Sequence, residues 1–147
     1  MPTTLDCHLA SSAEIATAFR NVHEFWGGDS QIDEFVKQRL ASRHHQRATW
    51  YVGCVDGTVT CSLGAFPFEL SHAGSIERAI FIGCVHTRPE YRGQGYAPEL
   101  FEFVENLETR ISNLEEEYNR WDFGYDPVET LARKIEEHRN TDLWKLK

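Results

Sequence analysis

Apolar positions along the chain repeat with two periods, and the switches between them mark the elements. Ile15, Phe19, Val22 and Trp26 recur at helical spacing and predict one buried stripe. Ser11 and Glu14 stand ahead of it as a capping box, with Ser11 as the cap and Glu14 reaching back. Gly27-Gly28-Asp29 ends that helix, and Ser30 and Asp33 begin another, with Ile32, Phe35, Val36 and Leu40 as its apolar face. Residues 5–9 read as a short first strand. Arg43-His44-His45-Gln46-Arg47 is polar and reads as a connector. Its two adjacent histidines have no third ligand nearby and read as solvated, not as metal-bound.

The second half of the pattern is mostly extended. Residues 50–55 form a strand by their β-branched and aromatic content. Asp56-Gly57 is a two-residue hairpin signal, because both turn positions need positive φ. Residues 58–66 return as the partner strand. Phe66-Pro67-Phe68-Glu69-Leu70 then leaves the sheet, and residues 71–75 turn. Residues 79–85 read Ala-Ile-Phe-Ile-Gly-Cys-Val, a near-continuous apolar run expected of a central strand covered on both faces. After a polar loop, Leu100, Val104, Leu107, Ile111, Leu114 and Tyr118 mark a long amphipathic helix, whose seven glutamates from Glu99 to Glu117 mostly occupy solvated faces. Beyond it the pattern weakens. Residues 121–125 suit a short strand, and Asp126-Pro127 suits the cap of a helix over about 128–138.

Composition narrows the partners. A length of 147 residues allows one domain, 1–147, with one core. Fifteen basic residues against 23 acidic ones leave a net charge of −8. That argues against nucleic acid and against an anionic membrane surface, both of which need a basic footprint. No apolar run approaches the roughly 20 residues that span a bilayer. The first 25 residues hold no unbroken apolar core, so no leader is read there. Cys7, Cys54, Cys61 and Cys84 lie in apolar surroundings and read as buried thiols in a reducing, cytoplasmic setting. Cys54 and Cys61 flank the hairpin, which leaves a cross-strand disulfide open.

The candidate chemistry sits between the apolar strand and the long helix, at Arg92-Gly93-Gln94-Gly95-Tyr96-Ala97. Glycines let a ligand approach the backbone, and a helix N-terminus offers free N–H groups to an anion. Arg92 adds a charge-assisted donor. The loop suits a pyrophosphate. The Walker pattern is excluded, because no Lys-Ser or Lys-Thr follows the last glycine. A dinucleotide-type module is a rival reading, but the loop is long and no βαβ repeat surrounds it.

The stretch resembles motif A of the GCN5-related N-acetyltransferases, whose pattern Arg/Gln-x-x-Gly-x-Gly/Ala it matches in full. The lead-in Thr87-Arg88-Pro89-Glu90-Tyr91 is similar too, and also resembles a fungal branch related to a lysine N-acetyltransferase. The order of elements agrees over residues 5–118, and residues 119–147 read as atypical or inserted. The resemblance implies a mixed α/β (α+β) fold: a mainly antiparallel sheet flanked by helices, with its C-terminal part incomplete or atypical. It implies acetyl-CoA as acyl donor. Val85 and Thr87, with His86 between them, would offer backbone groups to the pantetheine arm. Arg92, Gly93, Gln94, Gly95, Tyr96 and Ala97 would hold the pyrophosphate. The acceptor would be a primary amine on a small molecule, and the acidic balance favours lysine or a similar small cation.

Departures from the family pattern matter as well. The Asn-x-x-Ala helix and its tyrosine are not found, so no general acid is assigned. Glu77 and His86, at the two ends of the apolar strand, are candidate bases, but both read better as ordinary residues, with His86 satisfied by backbone. An amide near Val85 would polarise the thioester carbonyl. If residues 121–125 do not pair along the apolar strand, one sheet edge stays open to a second copy of the chain. The alternative is a catalytically inactive or truncated relative that binds CoA or acts as a protein-interaction module.

Overall fold

A computed structural model describes residues 3–119, together with 133 and 135–137. The expectations for residues 121–125 and for Tyr125 lie outside these. So does the helix over 128–138, apart from helical backbone at 133 and 135–137. The chain falls into two compact units, Met1–Phe101 and Glu102–Lys147.

The first unit is built on a four-stranded antiparallel sheet. Its strands are β1 (Asp6–Leu9), β2 (Thr49–Val55), β3 (Thr58–His72) and β4 (Ser75–Thr87), in that spatial order. Three helices, α1 (Ser12–Trp26), α2 (Ile32–Ala41) and α3 (Arg43–Gln46), lie between β1 and β2 in sequence. A 3-10 turn at Pro89–Tyr91 precedes α4 (Tyr96–Asn119).

The capping box forms as expected. The Glu14 N–H donates to Ser11 Oγ at 3.2 Å, and the Ser11 N–H donates to Glu14 Oε2 at 2.8 Å. Along α1 the buried positions are Ala18, Phe19 and Val22, whereas Trp26 is 47% exposed. The helix ends at Trp26, so its last residue has no further turn to hold it against the sheet. In α2, Phe35 and Val36 are buried, while Ile32 and Leu40 sit at its two ends and are exposed. The polar connector is itself a turn of helix. His45 is buried between Phe19 and Trp50, with ring centroids at 5.4 and 6.0 Å, and its carbonyl accepts from Trp50 Nε1 at 3.0 Å. Phe19, Val22, Phe35, Val36, Trp50 and Phe66 make the core on this face of the sheet. Each such side chain contributes about 1.5–3 kcal/mol by leaving water.

Two expectations for the sheet are corrected. First, β3 does not leave the sheet at Phe66. It continues to His72, paired with β4 throughout. Beyond Ala65 no β2 residue pairs with it, so Pro67 lies in a stretch with an open edge, where a missing N–H is tolerated. Second, the strand covered on both faces is β2, with the first half of β3: residues 50–55 and 59–66 are all buried. In β4 only His86 is buried, and Ile80, Phe81 and Val85 are exposed. An apolar run shows what a strand would bury, not what is there to bury it. Among the described residues β4 has β3 on one edge and no strand on the other. The four cysteines are free thiols, as read, and the disulfide left open does not form. Cys61 stands opposite Gly53, and Cys54 opposite Val59, so the hairpin does not face the two together.

The hairpin turn has positive φ at both positions, 49° at Asp56 and 75° at Gly57. On α4 the predicted positions Leu100, Val104, Leu107 and Ile111 are buried, as is Tyr96, whereas Leu114 is only partly buried. No helix among the described residues is long and apolar enough to cross a membrane.

Candidate functional site

β4 does not run straight into the loop that follows it. Ser62 pairs with His86, but Gly64 pairs with Gly83. Leu63 therefore faces two residues, Cys84 and Val85, and Cys84 takes a φ of 52°. One extra residue in a strand reverses the face that every later side chain takes. Phe81 stands beside Phe66 on the face packed by α1 and α2, with ring centroids 6.2 Å apart. A regular strand would point His86 to the opposite face. The bulge returns it to this one, beside Phe25 of α1 at 5.6 Å. Sequence reasoning missed this feature. The available signal was Gly83 inside an apolar strand, a common mark of a bulge.

The loop itself is tied at its start. The Arg88 N–H donates to Thr60 O at 2.9 Å, Tyr91 to Arg88 O at 2.9 Å, and Arg92 to Pro89 O at 3.3 Å. After that the ladder stops. Among the described residues, no backbone carbonyl takes the N–H groups of Gly93, Gln94, Gly95, Tyr96 or Ala97. The first bond of α4 runs from the Glu99 N–H to Gly95 O at 3.1 Å. Gly93 and Gly95 have φ of 77° and 82°, which L side chains rarely adopt. Five free N–H donors thus lie on the tip of a loop and the positive end of a helix dipole.

The Arg92 side chain is held at the base of the loop. Its Nε donates to Thr87 O at 3.0 Å, and its guanidinium lies 5.1 Å from the Phe25 ring centre. That leaves its terminal nitrogens for an anion. Arg88 pairs with Glu90 and lies 5.8 Å from the Tyr91 ring centre.

One open cleft of about 540 Å³ gathers most of these groups. Val85, His86 and Thr87 of β4 line it, with Arg92, Gly93, Gly95, Tyr96 and Ala97. Gln94 does not line it. Tyr91 and Pro98, which the sequence reading left out, do.

His86 needs a correction. It is 7% exposed, and neither ring nitrogen has a hydrogen-bond partner among the described residues. It is therefore not the backbone-satisfied histidine that was expected. Burial, with Arg92 and Arg88 nearby, holds its imidazole below its ordinary value, so it is neutral at pH 7. Glu77 lies at the exposed start of β4, seven residues from Cys84 and so roughly 23 Å along the strand, too far to serve there as a base.

An antiparallel sheet whose bulged last strand feeds a Gly-rich loop and a helix is the arrangement to be matched with known proteins. A family model, the acetyltransferase (GNAT) domain, matches residues 6–110, and the chain belongs to that family. Solved structures with the same fold include a probable N-acyltransferase from Enterococcus faecalis, 21% identical, with a TM-score of 0.58. That match covers 76% of this chain, which spans only 27% of the Enterococcus protein. The aminoglycoside N-acetyltransferase AAC(6')-Iy, solved with CoA, is 15% identical over 97% of this chain and 90% of its own, with a TM-score of 0.53. A predicted acetyltransferase from Clostridium acetobutylicum, solved with acetyl-CoA, is 13% identical over 73% of this chain and 75% of its own, with a TM-score of 0.52. No curated protein matches the chain.

Proposed function

We propose that the chain takes acetyl-CoA into the cleft beside β4 and moves its acetyl group to a primary amine on a small molecule. The observation that carries this reading is the set of five N–H groups from Gly93 to Ala97 that no described carbonyl takes, with Arg92 lining the same cleft, at the end of a strand whose outer edge no described strand covers. The N–H groups and Arg92 suit the pyrophosphate. The open edge at Val85, His86 and Thr87 suits the amides of the pantetheine arm, which would pair with it as a strand does. Two structural neighbours were solved with CoA or acetyl-CoA.

Transfer needs a neutral amine. Its nitrogen attacks the thioester carbonyl, the new C–N bond forms, the C–S bond breaks, and the amine proton leaves with the thiol. A β4 backbone N–H near Val85 would hold the carbonyl oxygen as charge builds on it. The four free thiols suit a reducing, cytoplasmic setting.

The test is calorimetric titration of the 147-residue chain with acetyl-CoA. Saturable binding is expected. Arg92→Ala should weaken it by about 10- to 100-fold, the loss of a charged hydrogen bond. Gly95→Glu should abolish it, since it puts a side chain and a negative charge at a φ of 82°. A folded wild-type chain that binds no acetyl-CoA would refute the reading. Binding without turnover on any amine would leave a CoA-binding module.

A further inference from the structure

A second cleft, of about 420 Å³, opens on the face of the sheet that carries α3. Its lining is His44, Arg47, Phe66, Pro67, Phe68 and Phe81. Gly64 and Gly83 face each other across the β3–β4 ladder beneath it. A Cβ on Gly64 would stand 2.8 Å from the Phe66 ring, and one on Gly83 would stand 2.6 Å from the Phe81 ring. The two glycines therefore let these rings fold down onto the backbone. Phe81 is two residues, about 7 Å, from Gly83 at the edge of the bulge. A molecule resting on Phe66 and Phe81 is then within reach of the strand segment that presents the acetyl group.

The walls say what such a molecule would be. Phe68 and Phe81 are 38% and 57% exposed, and with Pro67 they form one apolar surface. His44 is already stacked on Phe66, at 4.7 Å and 18°. The rest of that surface is left for a flat or apolar body. The charge at the rim is positive. Arg47 ends α3, is exposed, and has no ion pair among the described residues. Among the described residues, none that lines the cleft is acidic.

A polyamine would meet a cation here and no counter-charge. An amino carboxylate would meet a donor fork for its carboxylate and aromatic walls for its body, with its amine free to turn toward the bulge. We propose that this cleft is the acceptor site and that it takes a primary amine bearing an apolar body and a carboxylate, in preference to a polycation. The inference rests on the acetyl-transfer reading above and names its acceptor class. It departs from the expectation drawn from net charge. The −8 of the whole chain sets the far field, whereas the cleft sets the contact.

The experiment is ligand-observed NMR on the full chain, with and without CoA, using L-phenylalanine, L-phenylalaninamide, L-lysine and spermidine. Phenylalanine should bind saturably. Its amide, which lacks the carboxylate, should bind about fivefold more weakly, the effect of one solvent-exposed ion pair. Lysine and spermidine should bind more weakly still. Arg47→Gln should erase the gap between phenylalanine and its amide, and Phe68→Ala should weaken both. The proposal fails if spermidine or lysine binds as well as phenylalanine, if Arg47→Gln leaves the gap intact, or if no probe binds in either state. Acetyl-CoA affinity is read in parallel. Its loss with the amine preferences intact would strike the transfer reading and leave the ligand class of the cleft standing.

Discussion

Replacing His86 with leucine should make the protein more stable. The two side chains are similar in volume, so the packing against Phe25 is largely kept. What goes is a buried ring with two nitrogens that no protein group among the described residues satisfies. One buried unsatisfied polar group costs about 1–3 kcal/mol. For a chain of this length each kcal/mol moves the midpoint by roughly 2–4 °C, so a rise of about 2–12 °C is expected at pH 7.5. A pH series adds a second readout. The imidazole is held below its ordinary value in the fold, mainly by burial. The unfolded chain therefore binds the proton more readily, and wild-type stability falls as pH drops below about 6.5. His86→Leu should lose less stability over that range. His45, also held low by burial, should keep part of the slope. Thermal unfolding followed by circular dichroism at pH 5.5, 6.5 and 7.5 measures both effects. A variant less stable than wild type at pH 7.5, or one with an unchanged pH slope, would mean that the ring is bonded to solvent and the argument is wrong.

Two further outcomes are expected. Burial alone would raise the Glu14 carboxyl, but bonds from the Ser11 N–H and from His8 bring it below its ordinary value. Glu14→Gln should thus cost about 1 kcal/mol above pH 4.5, and the difference should vanish as pH falls below it, as read from urea midpoints at pH 3.5 and 7. Burial pushes the thiols of Cys7 and Cys61 up to about 12 and that of Cys54 to about 11. At pH 8 the native chain should react slowly with a thiol reagent at all three, and all should react at once in guanidinium; a fast stoichiometric burst from any of them in the native chain would contradict the burial.

The parts of this fold that the sequence made legible are those fixed by local chemistry. Ser11 and Glu14 form a capping box because three residues separate them on any helix start. Asp56-Gly57 forms the hairpin because few other pairs accept its backbone. The loop from Arg92 to Ala97 is readable for the same reason, since its glycines and arginine act through their own geometry. What was not legible depended on distant packing. Whether the run from Ala79 to Val85 is buried depends on neighbours that hydrophobicity does not name. Pro67 looked like a strand end, yet it lies where β3 has an open edge. The bulge at Cys84 is set by the pairing of two strands, so no single residue announces it, and with it went the placement of His86. The second cleft was invisible for a similar reason, because His44 and Phe81 meet only through the sheet.

The outer rim of β4 has a bearing on how this protein behaves in a tube. Soluble proteins usually guard a bare strand with lysines, prolines or a covering segment. From Ser75 to Thr87 this strand has neither lysine nor proline, and it carries Ile76, Ile80 and Phe81 into solvent. On the proposed reading such guards are unwelcome, since whatever shields the rim also bars the pantetheine. Colloidal stability and occupancy are then two faces of one property. Light scattering during concentration should register chain-to-chain sticking in the free protein, and saturating acetyl-CoA should suppress it, acting as a detachable shield for an edge that no described strand covers.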